Sequence, residues 1–205
     1  MNIGKLRYLE HRFLTIYPEG FNTEEMVKIR KKHGLDKQTK YIHEVCSKEN
    51  FKYGISIFDD VMKIVSRSSL VSVFEKMRFR DLMKELDLEE KRQLLDAVYE
   101  NLHGNERYGF ETMVNVLERY KLAKWPIITI FQTYYHPKKS VFMKPTVVKK
   151  IIKFLELEGV VYTVRPNYDL YIEFKKQINQ MKKLVDKSLS PNNPAFTGFL
   201  MITIE

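Results

Sequence analysis

Between Pro145 and Leu189 the apolar residues recur three or four positions apart, first as Val147, Val148, Ile151, Ile152 and Leu155, then as Leu170, Phe174, Ile178, Met181, Val185 and Leu189. That spacing places them along one side of a helix and is wrong for a strand, whose side chains alternate between faces every second residue. Two helices are therefore predicted here. Pro145 suits a first helical turn, where its missing N–H costs nothing, and Gly159 offers a left-handed stop. Pro166-Asn167 breaks the chain again, and Asn167 supplies a cap for the second helix. The β-branched run Val160 to Val164 lies between them and reads as a short strand.

Upstream, the pattern is also helical. Asn22 with Glu25, Ser56 with Asp59, and Asp87 with Glu90 each resemble a capping box. A helix from the first of these ends at His33 and Gly34, and Asp36 would cap another reaching about Glu49. Gly104 and Gly109 bracket an expected loop, followed by a helix over Phe110 to Leu122. The run Trp125 to Phe131 is the most apolar in the chain; its β-branched residues favour a strand, and Pro126 at a first-turn position tips the balance to a buried helix. From Ser190 on, Pro191 and Pro194 suggest a loop leading into a terminal strand ending at Ile204, with Val160 to Val164 as partner. The expected fold is mainly α, an α-rich α+β arrangement: a compact multi-helix domain with a small β element near the C-terminus. No Gly/Ser/Pro-rich linker divides the 205 residues, so one domain is expected, with a division into a helical part (1–124) and a basic helix/strand part (125–205) as the alternative.

The charge is unevenly placed. Residues 136–189 hold twelve lysines and arginines against five carboxylates, a surplus of seven out of a net +9 for the whole chain. Such a stretch attracts polyanions: nucleic acid or an acidic protein. The candidate phosphate contacts are Lys138, Lys139, Lys144, Lys149, Lys150, Lys153 and Arg165. If the helix from Pro145 were followed by a β-hairpin wing, Arg165 would sit at the wing tip and reach a groove. The loop between His136-Pro137 and Lys144-Pro145 is a second place to look, with His136, Tyr168 and Tyr171 as a candidate pocket. Arg30-Lys31-Lys32-His33 is read as cations completing a helix dipole.

At Phe142-Met143-Lys144-Pro145, followed by Pro166-Asn167-Tyr168 with Tyr171 and then the apolar end, the chain resembles a bacterial family of uncharacterised proteins. The resemblance covers roughly the last 80 residues. It implies no reaction.

Enzymatic readings are weaker. A metal-dependent nuclease would use Asp169 with Glu173 and Lys175, but in a helix that spacing makes surface ion pairs more readily than a site. No Gly-rich phosphate loop, Gly-x-Ser-x-Gly elbow or kinase signature occurs, and no cofactor is expected. His43 and Cys46 share a helix face, yet a structural zinc takes four ligands and no second pair exists; no metal is expected. Tyrosines 134, 135, 162, 168 and 171 suit a protein interface as well as a core margin. The single cysteine fits a reducing cytoplasm, and no run approaches the roughly 20 apolar residues of a membrane span.

Overall fold

The computed structural model describes residues 1–204. They form twelve α-helical segments: α1 (Ile3–Ile16), α2 (Glu24–His33), α3 (Leu35–Val45), the single turn α4 (Lys48–Phe51), α5 (Phe58–Arg67), α6 (Val73–Glu85), α7 (Leu88–His103), α8 (Glu106–Glu118), α9 (Trp125–Tyr135), α10 (Pro145–Leu155), α11 (Tyr168–Met181) and α12 (Asn193–Thr203). Short 3₁₀ turns lie at Gly20–Asn22, Gly54–Ile57 and Lys187–Leu189. No strand occurs among the described residues, and none of the described helices is long and apolar enough to cross a membrane.

The helix starts follow from side chains that accept the unpaired amides of a first turn. Asn2, Asn105, Asn167 and Asn192 cap α1, α8, α11 and α12, and Asp87 with Glu90 closes a reciprocal box on α7. Two expected boxes are displaced. Asn22 belongs to a 3₁₀ turn and α2 starts after Thr23, while the Ser56 hydroxyl donates back to the carbonyl of Tyr53 instead of capping α5. The box nearest that region is Ser72 with Glu75, at the start of α6. Gly34, in the left-handed region at φ 62°, joins α2 directly to α3, so Asp36 lies inside the helix and does not cap it.

The predicted β element is absent for two different reasons. Residues 160–164 are neither helix nor strand and have no strand beside them; Val161 and Val164 are 79% and 77% exposed, and the Thr163 carbonyl accepts a hydrogen bond from the Trp125 indole N–H at 2.8 Å. Residues 198–204, read as a strand, are mostly helix. Asn192 accepts from the Ala195 amide at 2.8 Å and Pro194 occupies the first turn.

Helix α9 runs through the middle, packed against α3, α5, α7 and α8. Ten of its eleven residues, Trp125 to Tyr134, are buried. A helix covered on all sides shows no one-sided stripe, which is why its sequence pattern reads ambiguously. Its polar side chains are paired internally: Thr129 and Thr133 donate to carbonyls one turn back, and Gln132 donates to the Asn101 carbonyl and accepts from Ser140.

Helices α7 and α8 form a tight hairpin around Gly104 and Asn105. The expected loop up to Gly109 does not exist, because Gly109 sits inside α8 against the backbone of α7. On another side α1, α10 and α12 pack together. The Asn2 amide donates to the Leu155 carbonyl at 2.7 Å, and Glu156, in the left-handed region, ends α10 three residues before Gly159 and pairs with Lys5 at 2.6 Å. One contiguous set of buried apolar side chains extends from Leu6 to Ile204.

Candidate functional site

Helix α10 has two unlike sides. Val148, Ile151 and Leu155 are buried, and Lys149, Lys150 and Lys153 are exposed. At 100° per residue the three lysines fall within an arc of about 100°, so they form one cluster. The Lys149 ammonium stands 4.7 Å from the centre of the Tyr162 ring, which draws the 160–164 segment against the same side. Lys144 precedes the helix and is exposed, while Lys138 and Lys139 lie exposed on the turn after α9, whose carbonyls accept from Lys182 and Asn179 of the α11 region.

None of these six lysines enters an ion pair among the described residues. Of the two carboxylates that follow α10, Glu156 is taken by Lys5, and Glu158 pairs with none of these lysines. The positive field of α10 is therefore uncompensated at contact range.

Arg165 behaves differently. Its guanidinium grips Glu118 through two bonds of 2.8 and 2.9 Å and reaches Asn115 at 3.2 Å. This fork holds residues 160–167 onto α8 and keeps the Glu118 carboxyl below the usual range. With no paired strands there is no wing, and Arg165 is a clamp on the protein's own surface.

His136, Tyr168 and Tyr171 all feel the carboxylate of Glu106, which is ion-paired with Lys175 at 2.7 Å. Tyr171 is fully buried, its ring stacked on Phe110 with centroids 5.4 Å apart. Its hydroxyl lies beside Ser140 and the Val141 backbone without a well-aligned hydrogen bond, and burial pushes the phenol far above its ordinary pKa. Tyr168 is half-buried under the Arg107 guanidinium, 4.6 Å from its ring centre, and is pushed up to about 12 by burial and by Glu106. His136 is half-buried, and its pKa is lowered by burial, then by Lys139 and His43. A neutral imidazole is thus favoured at neutral pH, and it contributes stability that is present above the unfolded-state value and lost as pH falls through the depressed one.

The residue types of the nuclease reading point apart. Asp169 binds Arg107, Glu173 binds Lys176 and Gln177, and Lys175 binds Glu106. No group of three or more His, Cys, Asp or Glu able to hold a metal ion occurs among the described residues. His43 packs on Tyr135, ring centres 4.1 Å apart. Cys46 is wholly buried, which pushes its thiol up to about 12. In the folded protein it should therefore react with a thiol reagent at pH 8 at least a hundredfold more slowly than in denaturant. Comparable rates in both states would show that the α3 end opens readily.

The chain matches no protein-family model, no curated protein and no solved structure.

Proposed function

We propose that this protein binds nucleic acid through the phosphate backbone, using Lys149, Lys150 and Lys153 on the outward side of α10, in a binding role rather than a catalytic one. One observation carries the proposal: three exposed ammonium groups lie within one helix arc, free of carboxylate partners among the described residues. The opposite side of α10 is locked into the core, so the cluster is presented by a rigid element. Contacts of this kind give affinity and orientation but little sequence choice.

A second reading has its own support. Val161 and Val164 are among the most exposed apolar side chains, and the segment that carries them is tied to Lys149 through Tyr162. Apolar surface next to unpaired cations also suits an acidic protein partner.

Fluorescence anisotropy of labelled duplex and single-stranded DNA separates the two. The triple variant Lys149→Glu/Lys150→Glu/Lys153→Glu should weaken DNA binding roughly ten- to a hundredfold, taking about 0.5–1 kcal/mol per exposed charge contact. Val161→Ser/Val164→Ser should leave DNA affinity unchanged. Loss of DNA binding in the valine variant, with none in the lysine variant, would overturn the assignment to α10 and move the site to residues 160–164, whereas no salt-sensitive DNA binding by the wild type would favour the acidic protein partner.

A further inference from the structure

A cleft of about 260 Å³ lies on a different part of the surface, where the end of α2, the start of α3, residues 69–70, the start of α10 and helix α12 meet. Its inner wall is apolar: Phe21, Met26 and Phe142 are buried there, and Leu35, Leu70 and Val147 are partly buried. Ile29, Met201 and Ile202 line the same cleft and are 37%, 44% and 47% exposed, so apolar surface continues from the inside to the mouth. The charges that line it are Arg30 and Lys144 against the single carboxylate of Asp36, and His33 lines it too. Neither Arg30 nor Lys144 enters an ion pair among the described residues, with Asp36 or any other carboxylate.

We infer that this cleft takes a free, single-chain amphiphile with a carboxylate head, a medium-chain fatty acid in chemical class, with the tail on the apolar wall and the head at Arg30 and Lys144. Charge complementarity decides the head group, because Arg30 and Lys144 line the cleft without a carboxylate partner among the described residues, and an anion beside them gains charge-assisted hydrogen bonds that a neutral polar group does not. Size decides the tail. The volume of about 260 Å³ falls just below the roughly 300–1,000 Å³ of ordinary small-molecule sites and suits one slender chain. One position on the wall offers a direct handle: at Gly198 in α12, which lines the cleft, an added Cβ would meet nothing within 4 Å. A side chain there starts into open space on the cleft wall and so competes with the ligand for it.

The test is titration of a dansyl-labelled undecanoate into the protein, followed by displacement with unlabelled dodecanoate and, separately, with dodecanol. Emission should rise and shift to the blue, and dodecanoate should displace the probe about tenfold better than dodecanol. Gly198→Leu should reduce probe affinity at least tenfold while keeping the wild-type thermal midpoint. Arg30→Gln/Lys144→Gln, at positions outside the core, should abolish the preference for carboxylate over alcohol and leave dodecanol binding as it was. The inference is overturned if emission does not change, if dodecanol competes as well as dodecanoate in the wild type, if Gly198→Leu binds the probe normally, or if the protein responds only to vesicles of anionic lipid.

Discussion

Replacing Trp125 with alanine should cost about 3–5 kcal/mol of folding stability, the range for removing a large aromatic from a packed interior. The indole is 1% exposed, stands between Phe110 and Tyr162, and donates to the Thr163 carbonyl at 2.8 Å. It therefore does two things. It fills the core where α9 begins, and it is the hydrogen-bonded anchor of the 160–164 segment. Trp125→Phe separates these contributions: much of the apolar volume stays and the hydrogen bond goes, so a loss of about 1–2 kcal/mol is expected. Denaturant unfolding followed by far-ultraviolet circular dichroism measures both variants, since the protein's only tryptophan is gone. A loss below 1 kcal/mol for Trp125→Ala would mean that the site collapses around the change or was never close-packed.

Gly109→Ala should destabilise the protein by about 2–3 kcal/mol, opposite in sign to what helix propensity alone predicts. In the interior of a helix such as α8, alanine is ordinarily favoured over glycine by about 1 kcal/mol. At this position, however, a Cβ would stand 2.5 Å from the Ala97 carbonyl oxygen and 2.7 Å from the Asn101 Cα, and nearer still to the Asn101 amide nitrogen. These are backbone atoms of α7, so no side-chain rotation relieves the contact and the two helices must separate. Overpacking typically costs roughly 1–3 kcal/mol and occasionally more; with three backbone contacts under 3 Å the cost here is put at about 3–4 kcal/mol, which leaves a net loss of about 2–3 kcal/mol after the propensity gain. At about 2–4 °C per kcal/mol for a chain of this length, the thermal midpoint should drop by roughly 4–12 °C. A midpoint that stays or rises would contradict the close α7–α8 crossing.

Helices with one buried side were legible. For α10 and α11 the apolar stripe, the first-turn Pro145 and the Asn167 cap are local signals, and Leu170, Phe174, Ile178 and Met181 are buried as their spacing requires; the stripe predicts a helix running on to Leu189, but α11 ends at Met181, and Val185 and Leu189 reach the core from the turns that follow it. The misreadings come from β-branched and apolar runs without periodicity. The α9 run, ambiguous because that helix is buried on every side, is not misread: Pro126 breaks the tie correctly in favour of helix. In α12 the same kind of signals stood in plain view, since Asn192 caps it as Asn167 caps α11 and Pro194 lies in its first turn as Pro145 does in α10, but the run that follows looked like a strand. Val160 to Val164 has the composition of a strand; what it lacks is a neighbour to pair with, and that is a property of the tertiary arrangement. The candidate site divides similarly. The exposure of Lys149, Lys150 and Lys153 follows from helix periodicity, whereas the engagement of Arg165 depends on Glu118 and Asn115, 47 and 50 residues away. The α12 cleft draws on residues from Phe21 to Ile202, and no local signal could have assembled it.

The most direct test of the proposed role for α10 is the salt dependence of DNA affinity, measured by anisotropy across a series of potassium chloride concentrations. Each phosphate neutralised on duplex DNA contributes about −0.9 to the slope of log K against log salt, so three contacts should give the wild type a slope of about −2.7 or steeper. In Lys149→Glu/Lys150→Glu/Lys153→Glu the slope should become shallower by roughly 2–3, in step with the lost affinity. A slope unchanged in the variant, or wild-type binding that ignores salt, would contradict the assignment of phosphate contacts to these three lysines.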